Sequence, residues 1–374
     1  MSFQITLDEL PGGYTLSSVL KGEQASIIVR EFTSSEDGDV FISRLEGLPT
    51  MLLNKLPFEA NIRSSRVESM VAVINQDKTA TVFINDDVKT IVSAILKRSV
   101  ERGEFVYIDD YAEIADLQFD GIEFPPDSGV MVLLSESWRK GLFFDLGPLV
   151  DGNKPREYSV NKLLAHYYAY LLFQHIFKIA TGEWDELIRQ GWFPFIAIPQ
   201  DRIKKMLGYL RSGWQLDDLL PEISDHLKRI IQNKTEAWSQ RLSLANHIDF
   251  VQRAVERFLA DDYISANSII YPRIEGMMRD HHLLMGTGKA SQDALINTVI
   301  SSRGDINEYS ALLPNNFRRF LKEVYFAHFD PNNPNPQGLS RNTVGHGVAR
   351  SDEFTLKGAM LGLLTIDQMF YYLK

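Results

Sequence analysis

Hydrophobic and polar positions change rhythm along this chain, and the changes divide it. Residues 1–60 are mixed, with turns at Pro11-Gly12-Gly13 and Glu36-Asp37-Gly38-Asp39 and short strand-like runs over 25–29 and 39–42. From Asn61 the pattern sharpens. Residues 69–74 and 80–84 are β-rich runs separated by Asn75-Gln76-Asp77-Lys78, which predicts a hairpin. Asp86 and Asp87 then predict the cap of a helix reaching about Arg102, with Val88, Ile91, Val92, Ile95 and Leu96 on one face and Gly103 as its stop. Strands are expected over 105–108, 117–119, 129–134 and 141–144. The last two flank an exposed tip, residues 135–140, carrying Trp138, Arg139 and Lys140.

Past Gly152-Asn153-Lys154-Pro155 the period becomes helical. Ser159 predicts the cap of a strongly apolar helix to about Ala180, in which Leu163, Leu164, Tyr167, Tyr168, Leu171 and Leu172 cover enough of the circumference to predict burial on more than one side. Four of the five tryptophans, at 184, 192, 214 and 238, follow; they are expected to fill a helical core or seam. Helices are expected over 202–210, 216–231 and 249–259, and a final one over 353–373 capped by Ser351 or Asp352. The expected architecture is an α+β regulatory or recognition domain (1–150), a helical middle region (151–240) and a C-terminal helical domain (241–374).

Composition narrows the chemistry. With 374 residues and 44% apolar content the chain can bury sizeable cores, and the absence of cysteine excludes disulfides, thiolate zinc sites and cysteine nucleophiles. The first residues lack a signal-peptide pattern and no apolar run approaches the length of a membrane span, so a cytoplasmic protein without a membrane partner is expected. Residues 240–374 hold 14 Lys plus Arg against 14 Asp plus Glu, whereas residues 1–239 hold 25 against 35. The acidic excess argues against long, sequence-independent binding to a nucleic-acid backbone and leaves a narrow cleft possible.

Candidate chemistry concentrates near the C-terminus. Residues 331–338, with three Pro, three Asn and a Gly, predict a solvent-facing loop. It empties into Leu339-Ser340-Arg341-Asn342-Thr343-Val344-Gly345-His346-Gly347. In a helical turn Asn342 and His346 stack as i and i+4, while Arg341 lies roughly 140° from His346, within reach of a long side chain. An arginine able to grip a phosphate through two hydrogen bonds, beside a histidine, suits phosphodiester chemistry without a metal. The imidazole would take the proton of a ribose 2′-hydroxyl and the guanidinium would meet charge building on the phosphate oxygens.

Arg341 to His346 fits R-x4-H with a polar second residue, and Ile274-Glu275-Gly276-Met277-Met278-Arg279 upstream supplies an E-x3-R. In these two elements the last 130 or so residues resemble the HEPN superfamily, all-helical domains whose R-x(4-6)-H motif marks ribonucleases of toxin, antiphage and RNA-processing systems. The resemblance implies a C-terminal helical bundle, Arg341, Asn342 and His346 as catalytic residues, and Glu275 with Arg279 in support. It further implies a homodimer or higher homo-oligomer forming a composite cleft, RNA as substrate, no cofactor, and a 2′,3′-cyclic phosphate product. An unknown trigger acting on the N-terminal domain completes that expectation.

Two other readings stand beside it. In the first, the helical domain is a non-catalytic dimerisation or nucleotide-binding module, Arg341 pairs with a carboxylate, Asn342 caps the turn and His346 is a surface residue. In the second, the doublets Asp86-Asp87, Asp109-Asp110, Asp217-Asp218 and Asp261-Asp262 seat a divalent ion, and Asp87-Val88-Lys89 forms part of a metal-dependent nuclease site. Gly286-Thr287-Gly288-Lys289 lacks the upstream glycine and following Ser or Thr of a nucleotide phosphate loop. His281 and His282, adjacent on a helix, are expected as helix-end residues rather than zinc ligands.

Overall fold

A computed structural model describes residues 2–373 except 61, 63, 151, 287, 305–308, 331, 334, 336 and 337. It comprises two compact units, Met1–Ile95 with Ile114–Gln174 and Leu96–Glu113 with His175–Lys374. An N-terminal region of sheet is followed by a chain that is mostly helix.

The strands are β1 (Ser2–Thr6), β2 (Tyr14–Thr15), β3 (Ile27–Ile28), β4 (Arg30–Ser34), β5 (Met70–Ile74), β6 (Thr79–Ile84), β7 (Thr90–Leu96), β8 (Tyr111–Phe119), β9 (Gly129–Glu136) and β10 (Arg139–Asp145). Six of them form one antiparallel sheet in the order β1-β6-β5-β9-β10-β4. The β5–β6 hairpin falls where the sequence predicts it, in register from Met70↔Ile84 to Ile74↔Ala80. Alternation then sorts the faces. Met70, Ala72 and Ile74, with Ala80, Val82 and Ile84, pack with Phe41, Leu48 and Leu52 of α1 (Asp39–Leu53). On the β10 side α2 (Val160–Leu172) packs against the sheet; Tyr167 stacks on Phe32 at 4.1 Å. Gly141 permits this closeness, since a Cβ there would lie 2.8 Å from the Phe32 ring. The tip of the β9–β10 hairpin exposes Trp138, and Arg139 lies 4.9 Å from its ring centroid.

Several expected elements change identity. The run 39–42 opens α1 instead of a strand, because Phe41, Leu48 and Leu52 continue it at helical spacing. Over 86–102 there is no helix: a 3-10 turn, Asn85–Asp87, leads into β7, which pairs with β8. The spacing of Val88, Ile91, Val92, Ile95 and Leu96 fits a helix, yet the β-branched run Thr90-Ile91-Val92 favours extended backbone once a partner strand exists. Residues 105–108 form no strand. Arg98 clamps them, donating from Nε to Asp110 at 2.8 Å and from Nη2 to the Phe105 carbonyl at 2.8 Å. The helix expected from 159 to 180 is capped by Ser159 but breaks at Phe173 (φ −114°, ψ 30°), before α3 (Gln174–Phe177).

Helices α4 (Thr181–Arg189), α5 (Gln200–Arg211), α6 (Leu220–Trp238), α7 (Leu242–Ala245), α8 (Ile248–Leu259), α9 (Tyr263–Leu284), α10 (Gln292–Ser301), α11 (Pro314–Phe320), α12 (Arg341–Gly345) and α13 (Leu356–Phe370) belong to the second unit. The helices over 175–240 thus share a unit with those after 240. The last helix starts later than expected, capped by Thr355, because Ser351–Glu353 forms a separate 3-10 turn. Around α9 pack α8, α10, α12 and α13. Bare glycine surfaces let α13 approach: a Cβ on Gly362 would sit 2.5 Å from Ile270 Cγ2, and one on Gly358 would sit 2.7 Å from Asn267 Oδ1. Trp184, Trp192 and Trp238 fill the interior, whereas Trp214 is exposed.

His281 and His282 lie in the last turn of α9, the helix-end position expected of them, and both are buried. His281 bonds Ser243 Oγ through Nδ1 at 3.0 Å and Ser302 Oγ through Nε2; His282 bonds Thr298 at 2.7 Å and the Gly288 carbonyl at 3.0 Å. Burial, helped by the neighbouring His282, holds His281 below the usual histidine pKa. Among the described residues no helix is long and apolar enough to cross a membrane.

Candidate functional site

The short helix α12 is fixed at both ends by its own sequence. At its start Ser340 Oγ accepts from the Thr343 N–H at 3.1 Å and Thr343 Oγ1 accepts from the Ser340 N–H at 2.9 Å, a reciprocal capping box. At its end Gly347 takes a left-handed conformation (φ 69°), and the Gly347 and Val348 amides return to the carbonyls of Val344 and Thr343 at 3.1 and 3.0 Å. This is a Schellman closure, which needs the glycine because a side chain is disfavoured at that φ. Between the two caps stand Arg341, Asn342 and, as the C-cap residue, His346.

Arg341 reaches back to α9, where its Nε pairs with Glu275 Oε2. Arg279, one turn after Glu275, donates from Nε to the other oxygen, Oε1, at 2.9 Å. One buried carboxylate therefore holds two guanidinium groups. Gly345 provides the seat for the first of them: a Cβ there would lie 3.0 Å from Arg341 Nη1. The arginine thus folds over the turn immediately before His346, although its α-carbon projects elsewhere on the helix. Tyr325 backs the group, donating its hydroxyl to the Tyr271 carbonyl at 2.6 Å. Burial and then the charge of Glu275 push its pKa well above the ordinary tyrosine value, so it stays neutral.

Asn342 points elsewhere. Its amide donates to the carbonyls of Phe326 at 2.9 Å and Ala327 at 3.2 Å, and its oxygen accepts from Gln292 Nε2 at 3.1 Å. Both amide hydrogens are consumed, and the side chain ties α12 to the start of α10. His346 is exposed, with its ring 5.0 Å from that of Phe329 and tilted by 39°. The five predicted residues fall into a pattern: Glu275, Arg279 and Arg341 form one charged cluster, His346 lies exposed against Phe329, and Asn342 serves as a clasp.

Gly345, Gln292, Phe329 and Tyr325 are absent from the sequence-based candidates. Gly345 was readable, since it stands four residues after Arg341; the other three meet the site through tertiary packing. The loop expected over 331–338 lies partly outside the described residues, as does Thr287 of the Gly286 to Lys289 segment. Among the described residues no group of three or more His, Asp or Glu side chains could hold a metal ion. A cavity of about 570 Å³ in the first unit, lined by Phe119, Ile122, Phe124, Arg156 and Tyr158 among others, contains none of the predicted site residues. Its arginine is fully engaged, by Asp145 at 2.7 Å and by the carbonyls of Pro125 and Ser128 at 3.2 and 2.6 Å. No family model, curated protein or solved structure matches this chain.

Proposed function

We propose that the chain is a metal-independent endoribonuclease whose working residues are Arg341 and His346, acting as a homodimer under the control of its N-terminal region in a toxin or antiphage role. The observation that carries the reading is the seating of Arg341. Its guanidinium is anchored on Glu275 and laid over Gly345, the residue that precedes the exposed His346 in sequence. In this mechanism His346 takes the proton of the ribose 2′-hydroxyl, O2′ bonds to phosphorus and the P–O5′ bond breaks. A 2′,3′-cyclic phosphate and a 5′-hydroxyl result, the latter protonated by a second imidazole from another copy of the chain. Arg341 stabilises the charge on the non-bridging oxygens with its outer N–H groups. Asn342 is a structural clasp in this scheme.

The test uses single-stranded RNA in EDTA. Cleavage is expected there, with DNA and 2′-O-methylated RNA left intact; His346→Ala should cost about 10²–10⁴-fold in rate. Arg341→Ala should lower the rate while the protein stays folded. Cleavage that persists in the double variant, or that requires a divalent ion, removes the mechanism.

A second reading has its own support. The Arg341–Glu275 pair and the three hydrogen bonds of Asn342 are also what a structural joint between α9, α10 and α12 requires. A non-catalytic module would show no RNA cleavage at any protein concentration, and Arg341→Ala would then alter stability alone.

A further inference from the structure

Among the described residues, five arginines bury an Nε that makes no regular hydrogen bond: Arg44, Arg139, Arg202, Arg241 and Arg341. Four of these face a carboxylate in an ion pair, namely Glu31, Glu36, Glu222 and Glu275 respectively. Arg241 has no such partner among the described residues. It precedes α7, and its guanidinium lies 4.7 Å from the ring centroid of Phe370, the last residue of α13. A second guanidinium converges on the same place: Arg303, just after α10, donates from Nη1 to the Tyr371 carbonyl at 3.2 Å. Burial and then the charge of Arg303 press the pKa of Arg241 below the ordinary arginine value, the mark of a cation confined without its counter-ion.

A planar guanidinium stacked on an aromatic ring, with a second one nearby, is a geometry suited to phosphate. The end of α13 contributes a favourable dipole to both cations, but it supplies no acceptor for the Nε–H of Arg241. Both residues are half-buried and so remain open in part to solvent.

We propose that Arg241 and Arg303, beside Phe370 and Tyr371, form a binding site for a phosphate group, free or carried as a monoester. The site is separate from the Arg341 cluster and independent of the ribonuclease reading. The oxyanion would take the outer N–H groups of Arg241 and supply the counter-charge that this cation lacks among the described residues.

Titration of the full chain with inorganic phosphate at constant ionic strength, followed by 31P NMR, tests it. Saturable binding is expected, weakened about ten- to hundredfold in Arg241→Ala, the value of one charge-assisted hydrogen bond. Arg241→Lys should recover only part of the affinity, since an ammonium lacks the planar fork. Arg241→Ala made in an Arg341→Ala background should weaken phosphate binding by the same factor, whether or not RNA is cleaved. Thermal denaturation checks that each variant is folded. Absence of saturable binding, or equal binding by folded wild type and Arg241→Ala, overturns the proposal; so does loss of binding in Arg341→Ala alone.

Discussion

Glu275 is the residue on which the candidate site depends, because it satisfies two arginines from inside α9. Glu275→Gln keeps the shape and removes the charge. It should destabilise the protein by about 1–3 kcal/mol, read as a lower urea midpoint at unchanged slope. Gly345→Ala separates position from stability. The added Cβ would meet Arg341 Nη1 at 3.0 Å, a flexible end that can move aside, so the melting temperature should hold while any RNA cleavage falls. Histidine burial sets a pH dependence of its own. The folded pKa of His281 is lowered from 6.5, so the unfolded chain takes up a proton first as pH drops. Stability present above 6.5 is therefore lost as pH falls toward the folded value. Urea midpoints should be lower at about pH 5.5 than at about pH 7.5, and the drop should shrink in His281→Gln. The Arg341-to-His346 spacing was legible in the chain itself. The inward turn of Asn342 was not, because its partners, Phe326, Ala327 and Gln292, are brought to it only by packing.

At the level of elements, legibility followed the ambiguity of the period. Helices α5, α6 and α8 were visible because polar and apolar positions repeat over many turns. β7 was misread since seven residues fit either period, and only the pairing with β8 decides between them. The start of α1 failed for a similar reason: four residues cannot reveal a helix that needs Leu48 and Leu52 to declare itself. The seam between α9 and α13 was hidden too, as a glycine in a helical run has no periodic signature. That seam makes a sharp prediction. Gly362→Ala adds a methyl 2.5 Å from Ile270 Cγ2, and overpacking of this kind costs about 1–3 kcal/mol. A lowered melting temperature is expected despite the better helix propensity of alanine, and in an Ile270→Ala background, which lacks Cγ2, the same Gly362→Ala change should cost less.

For the molecule as a whole, charge and connectivity matter more than any one contact. The acidic excess lies in residues 1–239, which leaves the part carrying Arg341 and His346 balanced at 14 against 14 and better suited to approach an anionic strand. The second unit is not one stretch of sequence, because Leu96–Glu113 belongs to it. Within that insert Glu113 is buried and accepts from Ser310 Oγ and, at 3.4 Å, from the Ala311 amide. A fragment beginning at His175 should therefore lose cooperative unfolding and near-ultraviolet circular dichroism, whereas the full chain keeps both. Synthesis runs in one direction, and here it has a consequence. Residues 96–113 leave the ribosome long before the helices with which they fold, so Glu113 must wait for Ser310 to be made. The pairing of β7 with β8 is local, so both strands are made early, and together they are the part of the fold placed to hold that late-used segment until its counterpart emerges.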